Sequence, residues 1–415
     1  MSVKQCLIVG GGITGCISAI VLAKRGHSVT LCESTAHLGG VLRDHQVQGK
    51  TWFSNCQYLS VSERWLDLLP DSLQQTLYQF DHQYGSISEF HGSKVVAQDL
   101  AVPIFAKGTY DEDSFAHTLD NSTLTSRLNF YPDRISQHLQ SWAERSGVDP
   151  GVISGKNAMA LQFGRIHLAD QDELVVKLKQ HEAYDDTLAL PLRSREPGNT
   201  VQAALPRQGY NVFFDALERY LCSLGITVLK STPVKIKSSK AGVSFWTRAQ
   251  QLDPFSAVVW ASNPNALLAG LNRPVLNNIC GKSQTHYFDI QDHDVSTDPR
   301  YIQIFSDRTP VNRLYYYSLA GDLKLTVECF ETTLSTAEIT IHATRLLKDF
   351  GMNVTLDWQG ARNEKRYVFY TEDDKATLDS LISSQPIPDC KLIDSGWLDF
   401  GRDAKINRIF SQLAA

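Results

Sequence analysis

Apolar positions recur along this chain in two periods, and each change of period marks an element. Lys4-Gln5-Cys6-Leu7-Ile8-Val9 is a short apolar run with strand character, and Ser28 to Cys32 is a second. Between them Cys16 to Arg25, rich in Ala, Ile and Leu, reads as a helix that Gly26 ends. Val47 to Phe53 predicts a strand. Ser62 to Phe80 has helical spacing at Trp65, Leu66, Leu69, Leu73 and Leu77, and Pro70 divides it into two short helices. Residues 81–110 read as strands and turns. Pro132 to Arg145 predicts an amphipathic helix with Ile135, Leu139 and Trp142 on one face. Asp170 to His181 predicts another, with Asp170 and Glu173 spaced as in a capping box. Further on, a Pro206-Arg207-Gln208-Gly209 turn leads a helix to Leu224, Gly225 stops it, and Ile226 to Leu229 is a strand. Strands are also expected from Thr232, over Ala257 to Trp260, and over 301–305, 313–318 and 323–331. Ser335 to Phe350 and Asp403 to Leu413 read as helices.

The first forty-odd residues carry the chemistry. Gly10-Gly11-Gly12-Ile13-Thr14-Gly15 stands between the first strand and the first helix, so a G-x-G-x-x-G turn sits inside a β-α-β unit. Gly10 permits the tight turn, Gly12 lets the backbone approach a pyrophosphate, and Gly15 lets the helix pack on the strand. The N–H groups of Ile13, Thr14 and Gly15 then face the phosphates. Glu33 follows Gly15 by eighteen residues, at the end of the second strand, where a carboxylate can accept from both ribose hydroxyls.

Glu33 is followed by Ser34-Thr35-Ala36-His37-Leu38-Gly39-Gly40-Val41-Leu42-Arg43. An acid, a short spacer, Gly-Gly and a basic residue resemble the FAD site of the amine-oxidase, protoporphyrinogen-oxidase and phytoene-desaturase superfamily, a start that UDP-galactopyranose mutases share. The usual Gly-Gly-Arg is here Gly-Gly-Val, so Arg43 takes the arginine's place. Leu205 to Ile236 resembles the family's Pro-Lys-Gly-Gly…Ala-Leu…Gly-Val…Pro-Val-x-x-Ile block, with Val234 at the adenine contact. Ala257 to Pro264 resembles the strand that returns beneath the cofactor, with Ala261 at its end. The resemblance covers about a third of the chain. It implies an FAD set of Gly10, Gly12, Ile13, Thr14, Gly15, Glu33, Ser34, Gly39, Gly40, Leu42, Arg43, Val234 and Ala261. It adds Gly401, Asp403 and Ile406 at the start of the last helix, whose N-terminus would face flavin O2.

The implied fold is α/β: a Rossmann-like FAD-binding domain of the amine-oxidase type with an inserted α+β substrate domain. The FAD-binding domain is expected over 1–62, 200–265 and 386–415, and the substrate domain over 63–199 and 266–385. Phe53, Gln57 and Tyr58 match the family's segment that crosses in front of the isoalloxazine ring; the alternative is a plain strand. Arg313 and Tyr315 share a face of one predicted strand. That face suits an anionic or sugar-bearing substrate; the alternative is ordinary sheet aromatics beside a surface arginine. Arg313, Tyr315 and Gln57 are the candidate catalytic residues.

Composition narrows the partners. At 415 residues two structural domains are expected, and 42% hydrophobic with 20% charged residues is ordinary for a globular enzyme. The net charge of −5 and the lack of a basic block argue against nucleic acid. No run of 18 apolar residues occurs, and the first strand starts at the N-terminus, so the expectation is a cytoplasmic protein with no integral membrane segment. The eight cysteines form no metal spacing and are expected reduced. The implied function is an FAD-dependent oxidoreductase that passes hydride from a small organic substrate to flavin N5, with oxygen or another acceptor reoxidising it. The alternative is a non-redox mutase or isomerase acting on a nucleotide sugar in the manner of UDP-galactopyranose mutase.

Overall fold

The computed structural model describes residues 4–61, 65–90, 93–98, 102–103, 119–131, 133–163, 166–167, 177, 179–180, 185, 202–239, 242–252, 254–291, 298–399 and 402–414. Among these, five strands form one parallel sheet in the order Thr227–Leu229, Ser28–Cys32, Gln5–Val9, Ala257–Trp260 and Lys391–Asp394. The central strand Gln5–Val9 is nearly all buried, as a parallel strand covered on both faces must be. On one side it meets the helix Ile13–Lys24, which packs near Tyr210–Ser223 and Arg402–Ala414. On the other lies a second core built on Leu7, Val9, Cys32, Val258 and Trp260.

Seven strands form a second, mixed sheet in the order Thr355–Phe369, Ile279–Gln291, Asp322–Phe330, Val311–Leu319, Arg300–Ser306, Gln83–Phe90 and Ser93–Ala97. Neighbours are antiparallel except Arg300–Ser306 with Gln83–Phe90, which run parallel. One face, with Ile302, Ile304, Leu314, Leu325 and Val327, is sealed by the helix Thr336–Asp349. A Ser335/Glu338 capping box starts that helix. The opposite face carries Tyr287, Tyr301, Gln303, Arg313, Tyr315, Tyr317, Thr326 and Glu328, all buried. The helix Asp133–Arg145 covers one end of that face, where Trp142 stacks on Phe305.

Several expectations need correcting. The single strand over 47–53 is a hairpin, His45–Val47 with Lys50–Trp52. Gln48 and Gly49 both have positive φ, 49° and 77°, as a tight primed turn requires. The span 62–80 gives a short 3-10 turn Leu66–Leu68, a helix Asp71–Gln74 and then the strand Leu77–Asp81. Two long strands, Ile279–Gln291 and Thr355–Phe369, go unread in the sequence. The second is an edge strand with exposed charges, Arg362 and Lys365 among them, which blunt an apolar alternation. The helix expected at 170–181 lies almost entirely outside the described residues.

No helix among the described residues is long and apolar enough to cross a membrane. No His, Cys, Asp and Glu group there could hold a metal ion. All eight cysteines are free of disulfides, and Cys6 and Cys32 are buried.

Candidate functional site

The glycine turn at the end of the first strand is fixed by contacts that exclude side chains. Gly10 has φ of 109°, and a Cβ there would lie 2.9 Å from the Ala261 carbonyl oxygen. A Cβ on Gly15 would lie 1.9 Å from the Gly10 carbonyl oxygen, so helix and turn pack backbone to backbone. Gly12 differs, because a Cβ there would meet nothing within 4 Å. Gly12 caps the helix Ile13–Lys24 with no side-chain bond and no acid in the first turn. The N–H groups of Ile13, Thr14 and Gly15 thus stand at the positive end of a helix with no side-chain cap. The second glycine pair completes a rim with Gly12. The Gly39 N–H donates to the Gly11 carbonyl at 2.9 Å, and a Cβ on Gly40 would lie 3.3 Å from Gly12 Cα. Donors without side-chain caps, beside the open space at Gly12, fit a diphosphate.

Glu33 flanks the rim and is 7% exposed. Its carboxylate accepts from the backbone N–H groups of Gly11 and Thr35, each at 2.7 Å, and from Ser34 Oγ at 3.1 Å. Its own N–H donates to Leu229 and its carbonyl accepts from Thr232, so two neighbouring segments hold the acid in place. Val234 is buried against the core of Leu7, Val9 and Cys32, and the Ala261 N–H donates to Val9 at 2.8 Å. Leu42 is buried at the end of the 3-10 turn Gly40–Leu42. Arg43 is half-buried and makes no ion pair among the described residues.

Asp44, next to Arg43, caps the helix Tyr210–Ser223 by accepting from the N–H groups of Tyr210 and Asn211, at 3.0 and 2.8 Å. Burial pushes its carboxyl up from 3.8 to about 6, against those two donors and Arg43. Between these values the native chain holds a proton that the unfolded chain has released, so this group's contribution to stability falls as pH rises. Asp44→Asn is therefore expected to gain on the parent in urea unfolding between about pH 4 and pH 6. A difference that does not vary with pH would contradict this.

The segment Phe53 to Tyr58 crosses between the rim and the large sheet. Toward the sheet, the Phe53 N–H donates to the Tyr317 hydroxyl at 3.0 Å, and their rings stack at 4.4 Å. The Tyr287 hydroxyl donates to the Ser54 carbonyl at 3.0 Å, and the Cys56 N–H donates to Glu328 Oε1 at 2.8 Å. Toward the rim, Gln57 Nε2 donates to the Val41 carbonyl at 3.2 Å and Ser54 Oγ donates to the Arg43 carbonyl. Tyr58 packs on His82 at 4.1 Å and its hydroxyl meets that of Tyr84 at 3.1 Å.

Arg313 and Tyr315 do share a sheet face, but neither is at the surface. Arg313 is 8% exposed and its Nη1 lies 3.4 Å from Glu328 Oε2, so its carboxylate partner is the chain's own. Its side chain lines a small cavity with Trp142, Ser283, Gln303, Asn312 and Tyr367. Tyr315 is fully buried, parallel to His82 at 5.8 Å, with Tyr58, Tyr301 and Tyr317 around it. Burial, then the surrounding phenols, hold its hydroxyl well above the usual range, and that hydroxyl has no partner among the described residues.

Gly401 and the side chain of Asp403 lie outside the described residues. Ile406 is buried in the core that includes the first helix, and Arg402 donates to the Tyr58 carbonyl, which brings the last helix to the crossing segment. Sequence reasoning missed Glu328, Tyr287 and His82. A signal for Glu328 was present: Lys324, Thr326 and Glu328 alternate with Leu325, Val327 and Cys329, the pattern of a strand with one polar face.

Residues 8–66 match the family described as NAD(P)-binding Rossmann-like domain. An L-amino-acid oxidase of Vipera ammodytes ammodytes is 34% identical over 61 residues, which is 15% of this chain and 13% of that protein's length. Reduced UDP-galactopyranose mutase aligns over 99% of this chain and 96% of its own, with 12% identity and a TM-score of 0.67. A putative protoporphyrinogen oxidase of Exiguobacterium sp. 255-15 aligns over 100% and 98%, with 15% identity and a TM-score of 0.62. The resemblance read in the sequence thus holds for the fold of the whole chain: it is a mixed α/β protein built on a Rossmann-like dinucleotide-binding core, in the architecture shared by the mutase and the oxidase.

Proposed function

We propose that this chain is an FAD-dependent oxidoreductase acting on a small organic substrate. The observation that carries the reading is the rim of Gly12, Gly39 and Gly40 over an uncapped helix N-terminus, with the oriented Glu33 beside it. In this reading Ile13, Thr14 and Gly15 hold the diphosphate, Glu33 with Ser34 the ribose, and Val234 and Ala261 border the adenosine half. Arg43 and the start of the last helix border the flavin half. When bound, FAD supplies the hydride acceptor, and oxygen or another acceptor regenerates it. The chain's own groups orient the substrate and exclude water: Gln57 and Tyr58 on the crossing segment, and Tyr315, whose buried hydroxyl stays protonated and can donate. We assign the FAD-binding domain to 1–62, 200–265 and 386–415, and the substrate domain to 63–199 and 266–385.

The whole-length likeness to UDP-galactopyranose mutase favours one second reading, a non-redox rearrangement of a nucleotide sugar. Anaerobic incubation separates the two. An amine, amino acid or other oxidisable substrate should bleach the bound flavin, whereas the second reading requires turnover of UDP-galactopyranose only after chemical reduction, with no net oxidation. Activity in neither assay, across these substrate classes, would contradict both.

Glu33→Gln is expected to weaken FAD binding by roughly tenfold or more, the loss of one charge-assisted hydrogen bond of about 1–3 kcal/mol. Titration of apoprotein measures it, and an unchanged affinity would remove Glu33 from the site.

A further inference from the structure

We infer that Glu328, with Arg313 as its charge partner, is a positioning residue that locks residues 53–57 between the nucleotide rim and the large sheet. The inference extends the flavin reading above and rests on it only for the cofactor arm of its test. Three adjacent strands each send one side chain to the backbone of this segment: Tyr287 to Ser54, Tyr317 to Phe53 and Glu328 to Cys56. Tyr287 and Tyr317 meet it through neutral hydroxyls. Glu328 is 1% exposed, and a carboxylate so buried keeps its charge only beside a cation and hydrogen-bond donors. Arg313 at Oε2 and the Cys56 N–H at Oε1 supply both, one to each oxygen.

A buried ion pair of this kind adds little net stability over an apolar pair of the same volume. What it gives here is direction. Oε2 faces Arg313 while Oε1 accepts the Cys56 N–H, so the ion pair on one oxygen orients the other toward the segment. The same short stretch is tied on its other side to the rim, through Ser54 to Arg43 and Gln57 to Val41. A shift of Cys56 therefore carries Gln57 and the Gly40–Leu42 turn with it. Arg313 acts through Glu328 in this account, not as an anchor for a substrate anion.

The test uses three forms of the full chain: the parent, the charge-neutral double variant Glu328→Leu/Arg313→Met, which leaves no acceptor for the Cys56 N–H, and Cys329→Ala. Cys329 is buried on the opposite face of the same strand, so its variant loses stability without touching the segment. The double variant avoids the unpaired buried charge that either single change would leave. Amide hydrogen exchange of apoprotein should be about tenfold or more faster over 53–57 in the double variant, and unchanged there in Cys329→Ala. FAD affinity should fall by about tenfold and the visible circular dichroism of bound flavin should change in the double variant alone. Parent-like exchange over 53–57 in the double variant overturns the inference. A parent that takes up no FAD overturns the flavin reading instead, and the exchange comparison still decides the positioning role.

Discussion

Gly15→Ala is expected to cost about 3 kcal/mol or more of stability, whereas Gly12→Ala folds like the parent and loses its cofactor. The two glycines lie three residues apart and do opposite work. At Gly15 the new methyl would sit 1.9 Å from a backbone oxygen of Gly10, which no rotamer can relieve, so helix and turn must separate. Against a total of roughly 5–15 kcal/mol, that loss takes between about a fifth and three fifths of the stability. At Gly12 the backbone is extended, with φ −69° and ψ 174°, and nothing stands within 4 Å of the new carbon. Alanine there costs at most about 1 kcal/mol as a poorer N-cap than glycine. It does fill the space a diphosphate would use, so FAD affinity should fall by roughly a hundredfold, about 3 kcal/mol. Urea unfolding and FAD titration of both variants check this. A stable Gly15→Ala protein, or a Gly12→Ala protein that binds FAD as the parent does, would refute this division of roles.

The second large effect is expected at Asp394. It ends the last strand of the parallel sheet and is 1% exposed. Its carboxylate accepts from Arg408 Nε at 2.7 Å, Gln412 Nε2 at 3.0 Å and the Gly396 N–H at 2.8 Å. It therefore ties the final helix and the turn before it to the sheet. Asp394→Ala removes all three hydrogen bonds, leaves the buried Gly396 N–H unpaired and should cost on the order of 3 kcal/mol. Asp394→Asn keeps one acceptor oxygen and should cost less. Because Arg402 on that helix bonds the Tyr58 carbonyl, the alanine variant should also retain less cofactor. An unchanged urea midpoint would mean that the helix is held without Asp394, by Ile406, Ile409 and its other contacts.

What was legible in the chain follows from physical locality. The β-α-β unit and the strand Ala257–Trp260 were readable because buried parallel strands and an Ala-rich helix leave plain apolar runs, and the glycines between them are forced by backbone contacts. The place of Glu33, just after the second strand and against the glycine turn, was readable from its spacing. The surroundings of Arg313 were not. Its partner Glu328 is fifteen residues away in sequence and directly opposite on the next strand, so the pair exists only once the register is set. Tyr315 was assigned the correct face, but its burial depends on His82 and Tyr58, from distant segments. The hairpin at 45–52 escaped because Gln48, not glycine or asparagine, holds the first positive φ of its turn. The strand Thr355–Phe369 escaped because its edge is charged.

FAD, in the proposed reading, is held by the rim of Gly12, Gly39 and Gly40 with Glu33. The most direct measurement is to purify the full chain, release its chromophore with heat or acid, and identify it. The expected result is a yellow protein that yields free FAD in full, in a ratio near one per chain, and a Gly12→Ala variant that purifies colourless. A colourless parent that binds NAD instead, or a flavin retained equally by Gly12→Ala, would contradict it.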